Sequence, residues 1–146
     1  MTIPREELAA IFERAPGLAD RVRGSDPASI VASARSEILR MNEAERIGLL
    51  NAHPRIGADP ASLSALSRRE QGREADLAIL RELAATNDEY ERRFGFRFVV
   101  FVAGRSKAEI VPAIRERLRH TREEELATGI DEFLAITRDR LERIAS

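Results

Sequence analysis

The run Phe94-Gly-Phe-Arg-Phe-Val-Val-Phe-Val102 is aromatic and β-branched, the composition of a strand. No second segment of the chain pairs with it convincingly. One strand cannot make a sheet. The run is therefore expected to be a buried extended segment, or a helix start imposed by tertiary packing, and the rest of the fold is expected to be helical. Ala, Leu, Glu and Arg, all good helix formers, dominate the remainder. Aromatics are only 5%, and Gly 8 and Pro 6 are low counts for a sandwich or barrel.

Apolar spacing and helix-end signals divide the chain as follows. Residues 4–15 read as a helix with Leu8, Ile11 and Phe12 on one face, stopped by Pro16-Gly17. Leu18–Arg23 is a short helix or turn closed by Gly24. Ser25-Asp26-Pro27 opens the next helix, with Ile30, Val31, Ala34 and Ile38 as its stripe. Asn42 or the acids behind it open Glu43–Asn51, which Pro54 ends, because a residue before proline is pushed out of the α region. Ile56 to Leu63 is a loop. Ser67-Arg-Arg-Glu70 has the form of a capping box and opens a long helix to about Arg93, with Leu77, Leu80, Leu83, Ala84 and Tyr90 inside. Gly104–Ser106 is a turn, and Lys107–His120 and Arg122–Ala145 are the last helices. The reading is an all-α, single-domain helical bundle of about seven to nine helices, one domain over 1–146.

Composition removes several function classes. The net charge is −1, with acids and bases mixed, so no nucleic-acid partner is expected. There is no cysteine, which excludes disulfides, thiol nucleophiles and cysteine metal sites. The start of the chain reads neither as a signal peptide nor as a membrane span, so no membrane partner and a cytoplasmic location are expected. No Ser-Lys-Leu type address stands at the other end.

Few residues can carry chemistry. His53 is one of two histidines, set directly before Pro54 at a helix end. It reads as an imidazole capping terminal carbonyls, or as a general acid or base whose direction the proline fixes. Metal binding is a poorer reading, because only His120 could join it. Ser67, Glu70 and Gln71 read as a helix cap, or as a hydroxyl, a carboxylate and an amide that grip a polar, urea-like ligand. The apolar run reads as core. Its buried backbone must nevertheless pair with something, and an amide-rich heterocycle is a fitting partner. Any single arginine, Arg105 and Arg140 included, reads as a solvated residue unless it is aimed into a pocket, where it would clamp a carboxylate.

In order along the chain stand His53-Pro54, Ser67-x-x-Glu70-Gln71, Asn87-x-x-Tyr90-x-x-x-Phe94-Gly95-x-x-Phe98-Val99, Gly104-Arg105-Ser106 and Arg140-Leu141. No one of these is specific, but the ordered set resembles the OHCU decarboxylase family, which acts on 2-oxo-4-hydroxy-4-carboxy-5-ureidoimidazoline in urate breakdown. The resemblance runs from about residue 5 to 145. It implies an all-α fold, decarboxylation to (S)-allantoin without a cofactor or metal, a small-molecule ureidoimidazoline substrate, and a homodimer. It places the catalytic imidazole on His53, which Glu70 is then expected to polarise or orient. It places Pro54, Ser67, Glu70 and Gln71 on the substrate pocket, and backbone contacts on Phe98, Val99, Val100, Phe101 and Val102. Arg140 falls where a substrate carboxylate or equivalent oxygen is held. The chain departs from the pattern between Gln71 and Asn87, which looks short, at His120 where Asn is expected, and at Arg97 where Pro is common. The last two look peripheral. Two other readings stand beside this one: a non-enzymatic helical interaction module, which needs no pocket beside His53, and a same-fold enzyme acting on a related ureide.

Overall fold

A computed structural model of the chain describes residues 5–12, 18–57, 66–67 and 77–145. Among these residues there are helices and no strand. The helices are α1 (Arg5–Ile11), α2 (Leu18–Arg21), α3 (Pro27–Leu39), α4 (Glu43–Asn51), α5 (Leu77–Phe94), α6 (Lys107–Arg117) and α7 (Arg122–Ala145). The fold is all-α, as the lone strand-like run required. No described helix is long and apolar enough to cross a membrane.

Reciprocal caps fix several helix starts. Asp26 accepts the Ser29 N–H at 2.7 Å while Ser29 Oγ accepts the Asp26 N–H at 3.2 Å. Asn42 and Glu45 repeat the arrangement at α4, and Ser106 and Glu109 at α6. Each box satisfies two N–H groups that a helix start would otherwise leave open.

The long helix α7 is the spine, with α3 and α4 packed along it and α5 packed against α6. Buried Phe133, Leu134 and Leu141 of α7 meet a core that includes Phe12, Ile38, Leu49 and Leu50. At Gly129 α4 comes close: a Cβ there would lie 3.0 Å from Leu50 Cδ1. A second cluster is aromatic, with the Tyr90 ring 4.6 Å from Phe94 and 5.2 Å from Phe98, centroid to centroid. These tilted and edge-on pairs add about 0.5–1.5 kcal/mol each beyond their buried area.

Two sequence expectations need correction. In α5 the buried face is Leu83, Thr86, Asn87, Tyr90 and Phe94, whereas Leu77 is 63% exposed and Ala84 is also exposed. The stripe runs from partly buried Ile79 to Leu83 and on, and Leu77 sits at the helix start, beyond what the bundle covers. Ser67 does not open a helix as a cap: Leu66 and Ser67 are both helical, whereas an N-cap residue is not. Glu70, the other half of the proposed box, lies outside the described residues, as do Gln71 and the expected stop at Pro16-Gly17.

Candidate active site

The site begins where α4 ends. Ala52 is the C-cap of α4, and His53 is the residue after it, its N–H donating to Leu50 O at 3.2 Å. His53 is 5% exposed. Its ring meets Phe133 of α7 edge-on, with centroids 5.0 Å apart. The loop that follows is tied to α5. Arg55 bonds Asp88 at 2.7 Å and Glu91 at 2.6 Å, and Asn87 Nδ2 donates to Ile56 O at 3.2 Å. Gly57, at φ 85°, sits where a side chain would press on Leu83.

The strand-like run forms the opposite wall. Residues 97–102 make neither helix nor sheet. Several of their backbone groups are instead held by side chains, as buried main chain outside helix and sheet requires. The Arg97 N–H donates to Asn51 Oδ1 at 3.0 Å, and the Val99 carbonyl accepts from Arg117 Nη1 at 2.6 Å. The Phe101 N–H donates to Glu132 Oε1 at 3.3 Å, and its carbonyl accepts from Arg105 Nη2 at 2.7 Å. Arg97, Val99 and Phe101 thus each give a backbone group to a protein side chain. Among the described residues, nothing hydrogen-bonds the backbone of Phe98 or Val100, although both are buried. The run ends in a tight turn in which the Arg105 N–H returns to Val102 O at 3.0 Å, with Ala103 at φ 52° and Gly104 at φ 77°.

Between these walls lies a cavity of about 190 Å³. It brings together His53, Pro54, Ser67, all of Phe98–Val102, and Arg140. Arg140 is 1% exposed; it donates to Ile11 O at 2.9 Å and to Ser67 Oγ at 3.4 Å. The cavity also reaches residues the sequence did not single out: Ile56, and on α7 Ile136, Asp139 and Arg143. The spacing 136, 139, 140 and 143 marks one helical face, and that period is the signal by which they could have been found. Arg143 Nε bonds Asp139 Oδ2 at 2.9 Å. Among the described residues, no group of three His, Asp or Glu side chains could hold a metal ion.

Behind the extended wall is a buried polar network. Glu125, with no exposed surface, accepts from Tyr90 Oη at 2.6 Å and Arg117 Nε at 2.7 Å, and lies 2.7 Å from His120 Nδ1. The Arg117 guanidinium also stacks over the Phe98 ring at 4.5 Å. Burial pushes the Tyr90 hydroxyl far above its ordinary pKa; the Glu125 carboxylate adds to this and the Arg117 charge opposes it. His120 and Arg97, which look peripheral in the sequence, are both tied into the framework around the cavity.

A buried imidazole and a buried guanidinium facing a row of main-chain amides can bind a polar heterocycle, hold its anionic oxygen and move one proton. Comparison with known proteins makes this specific: the OHCU decarboxylase family model matches residues 4–142, and the chain belongs to that family. It is 33% identical over 145 residues to the 2-oxo-4-hydroxy-4-carboxy-5-ureidoimidazoline decarboxylase of Haloferax volcanii, covering 93% of this chain and 86% of that protein. It is 30% identical over 146 residues to the uric acid degradation bifunctional protein of Bacillus sp. strain TB-90, spanning 94% of this chain but only 29% of that longer protein. In fold it is similar to a crystal structure of OHCU decarboxylase in the presence of (S)-allantoin, with a TM-score of 0.75 at 24% identity, covering 94% of this chain and 96% of that one.

Proposed function

We propose that this chain decarboxylates 2-oxo-4-hydroxy-4-carboxy-5-ureidoimidazoline to (S)-allantoin in urate breakdown, with His53 as the catalytic imidazole. One observation carries the reading: a single cavity holds buried His53, buried Arg140 and the unpaired backbone edge of Phe98 and Val100. The ureido and imidazoline groups are chains of amide donors and acceptors, and a row of main-chain N–H and C=O groups is their complement. The cavity is smaller than the roughly 300–1,000 Å³ of a drug-sized site, which suits a small heterocycle. A non-enzymatic interaction module needs no such cavity.

In the reaction the bond from the ring carbon to the carboxylate breaks. CO2 leaves, and the electron pair stays on that carbon, delocalised into the electron-poor imidazoline. The substrate's own ring is the electron sink, so the protein need only hold charge, set geometry and deliver a proton to one face. His53 hydrogen-bonds the substrate hydroxyl, turns the carboxylate out of the ring plane and takes part in proton delivery. Arg140 holds an anionic oxygen, with Ser67 beside it. In this proposal Glu70 orients His53 and binds ureido N–H groups, and Gln71 reads an amide of the ligand. The resemblance also implies a homodimer; one domain over 1–146 and a cytoplasmic location belong to the same proposal.

The test generates the unstable substrate in situ from urate with urate oxidase and 5-hydroxyisourate hydrolase, then follows its decay and the circular dichroism of the product. Rapid formation of optically pure (S)-allantoin supports the reading. Decay at the rate of the blank, giving racemic product, rejects it and directs attention to related ureides.

A further inference from the structure

Arg97 opens the extended wall, yet its side chain points back to the end of α4. Nη1 donates to His53 O at 2.8 Å and to Asn51 O at 3.2 Å, while the Arg97 backbone N–H is held by Asn51 Oδ1 at 3.0 Å. One residue therefore stitches the two walls of the cavity together. We infer that Arg97 is a positioning residue for His53, fixing the imidazole through its own main chain. The inference rests on His53 being the acid–base group proposed above.

The geometry leaves His53 little freedom apart from its ring torsions. Its N–H is bonded to Leu50 O and its carbonyl to Arg97. Pro54 restricts the backbone of the residue before it. The ring itself lies edge-on against Phe133. Of these restraints, only the Arg97 contact ties His53 to the wall carrying Phe98 and Val100, and so sets the imidazole relative to a ligand held by those amides.

Arg97 is also poorly explained as a stabilising residue alone. Among the described residues it has no carboxylate partner, and its Nε is buried without a hydrogen bond. Buried donors are almost always satisfied, and exceptions call for a reason. A cation over the last carbonyls of a helix complements the helix dipole, but a capping cation does not have to come from the facing wall. Displacing a reacting group by about 1 Å costs on the order of 10²-fold in rate, and that is the effect predicted for loss of the clamp.

The experiment compares Arg97→Ala and Arg97→Lys with the wild type in the coupled assay, with thermal unfolding and with long-range proton–nitrogen NMR of the histidine rings. The chain has two histidines, so the His53 signals separate readily from those of His120. Arg97→Ala is expected to lose on the order of 10²-fold in kcat with KM within about twofold, and to recover on adding guanidinium. Arg97→Lys, whose ammonium can donate to both carbonyls, is expected to stay near wild type. The His53 ring signals are expected to shift or broaden in Arg97→Ala and return in Arg97→Lys. Unchanged kcat, unchanged His53 signals, or a rate loss that guanidinium does not repair and that matches the loss of folded protein would overturn the inference. Should Arg97→Ala not fold, Arg97→Gln is read in its place. If the wild type itself gives no turnover, the proposed reaction falls, and the ring signals still decide the clamp.

Discussion

Arg117 holds the carbonyl of Val99 at 2.6 Å from across 18 residues of chain. The same guanidinium is ion-paired at 2.7 Å to Glu125, which has no exposed surface. The ion pair thus holds one carbonyl of the cavity wall in place, between Phe98 and Val100, whose backbone groups no described residue hydrogen-bonds.

Arg117→Met is expected to be severely destabilising. It leaves the Glu125 carboxylate buried beside Tyr90 without its cation, and breaking a buried pair on one side costs about 3–5 kcal/mol. Urea unfolding measures this as a fall in midpoint at constant slope. Adding Glu125→Gln to Arg117→Met removes the stranded charge and is expected to recover part of the loss.

Stability is expected to decline in alkali because of Tyr90. Burial raises its folded pKa far above the unfolded value of about 10. The folded state therefore keeps its proton where the unfolded chain has lost it. The contribution is complete below about pH 10 and is lost as pH rises above that value. Tyr90 is the only tyrosine in the sequence, so its phenolate absorbance reports the titration without overlap. Tyr90→Phe is expected to flatten the alkaline slope while costing about 1.5–3 kcal/mol at neutral pH for the lost bond to a charged acceptor.

His53→Asn is expected to abolish accelerated decay of the substrate and the optical purity of the product, while the unfolding temperature stays close to wild type. The amide keeps the size and polarity of the position but cannot exchange a proton near neutral pH. Near-normal turnover would remove His53 from the chemistry.

Arg140→Lys keeps a positive charge in the cavity and loses the planar fork. A charge-assisted hydrogen bond contributes about 1.5–3 kcal/mol, so kcat/KM is expected to fall roughly 10- to 150-fold. Because Arg140 also holds Ile11 O, a small loss of stability from loosened α1 is expected alongside. Steady-state kinetics and thermal unfolding separate the two effects.

What could be read in the sequence was local. Asp26, Asn42 and Ser106 mark their helix starts because capping is a contact over three residues. The lone strand-like run implied the helical fold, while leaving open for itself a buried extended segment or a helix start; the structure makes it neither helix nor sheet. His53 was legible as a helix-end residue beside a proline. The part that stayed hidden depends on long side chains crossing the bundle: Arg97 to the end of α4, Arg117 to Val99, and Glu125 to Tyr90. Residue order says where an arginine starts and nothing of where its guanidinium arrives. Ser67 shows the reverse error. Its spacing to Glu70 fits a local cap, while the structure places it inside a helix, facing Arg140.

The extended wall also sets how this protein fails. Phe98–Val102 is a five-residue apolar, β-prone window without charge or proline, the kind of segment that seeds cross-β aggregation when exposed. In the native state its edge is largely buried in the bundle, which keeps a second chain from adding to it. Heating the protein releases that edge into solvent at the moment the surrounding helices melt, with only Arg97 and Arg105 flanking it as gatekeepers. Thermal unfolding of this small helical protein is therefore expected to be irreversible and concentration-dependent, and its shelf life to be governed by how rarely the cavity wall comes loose.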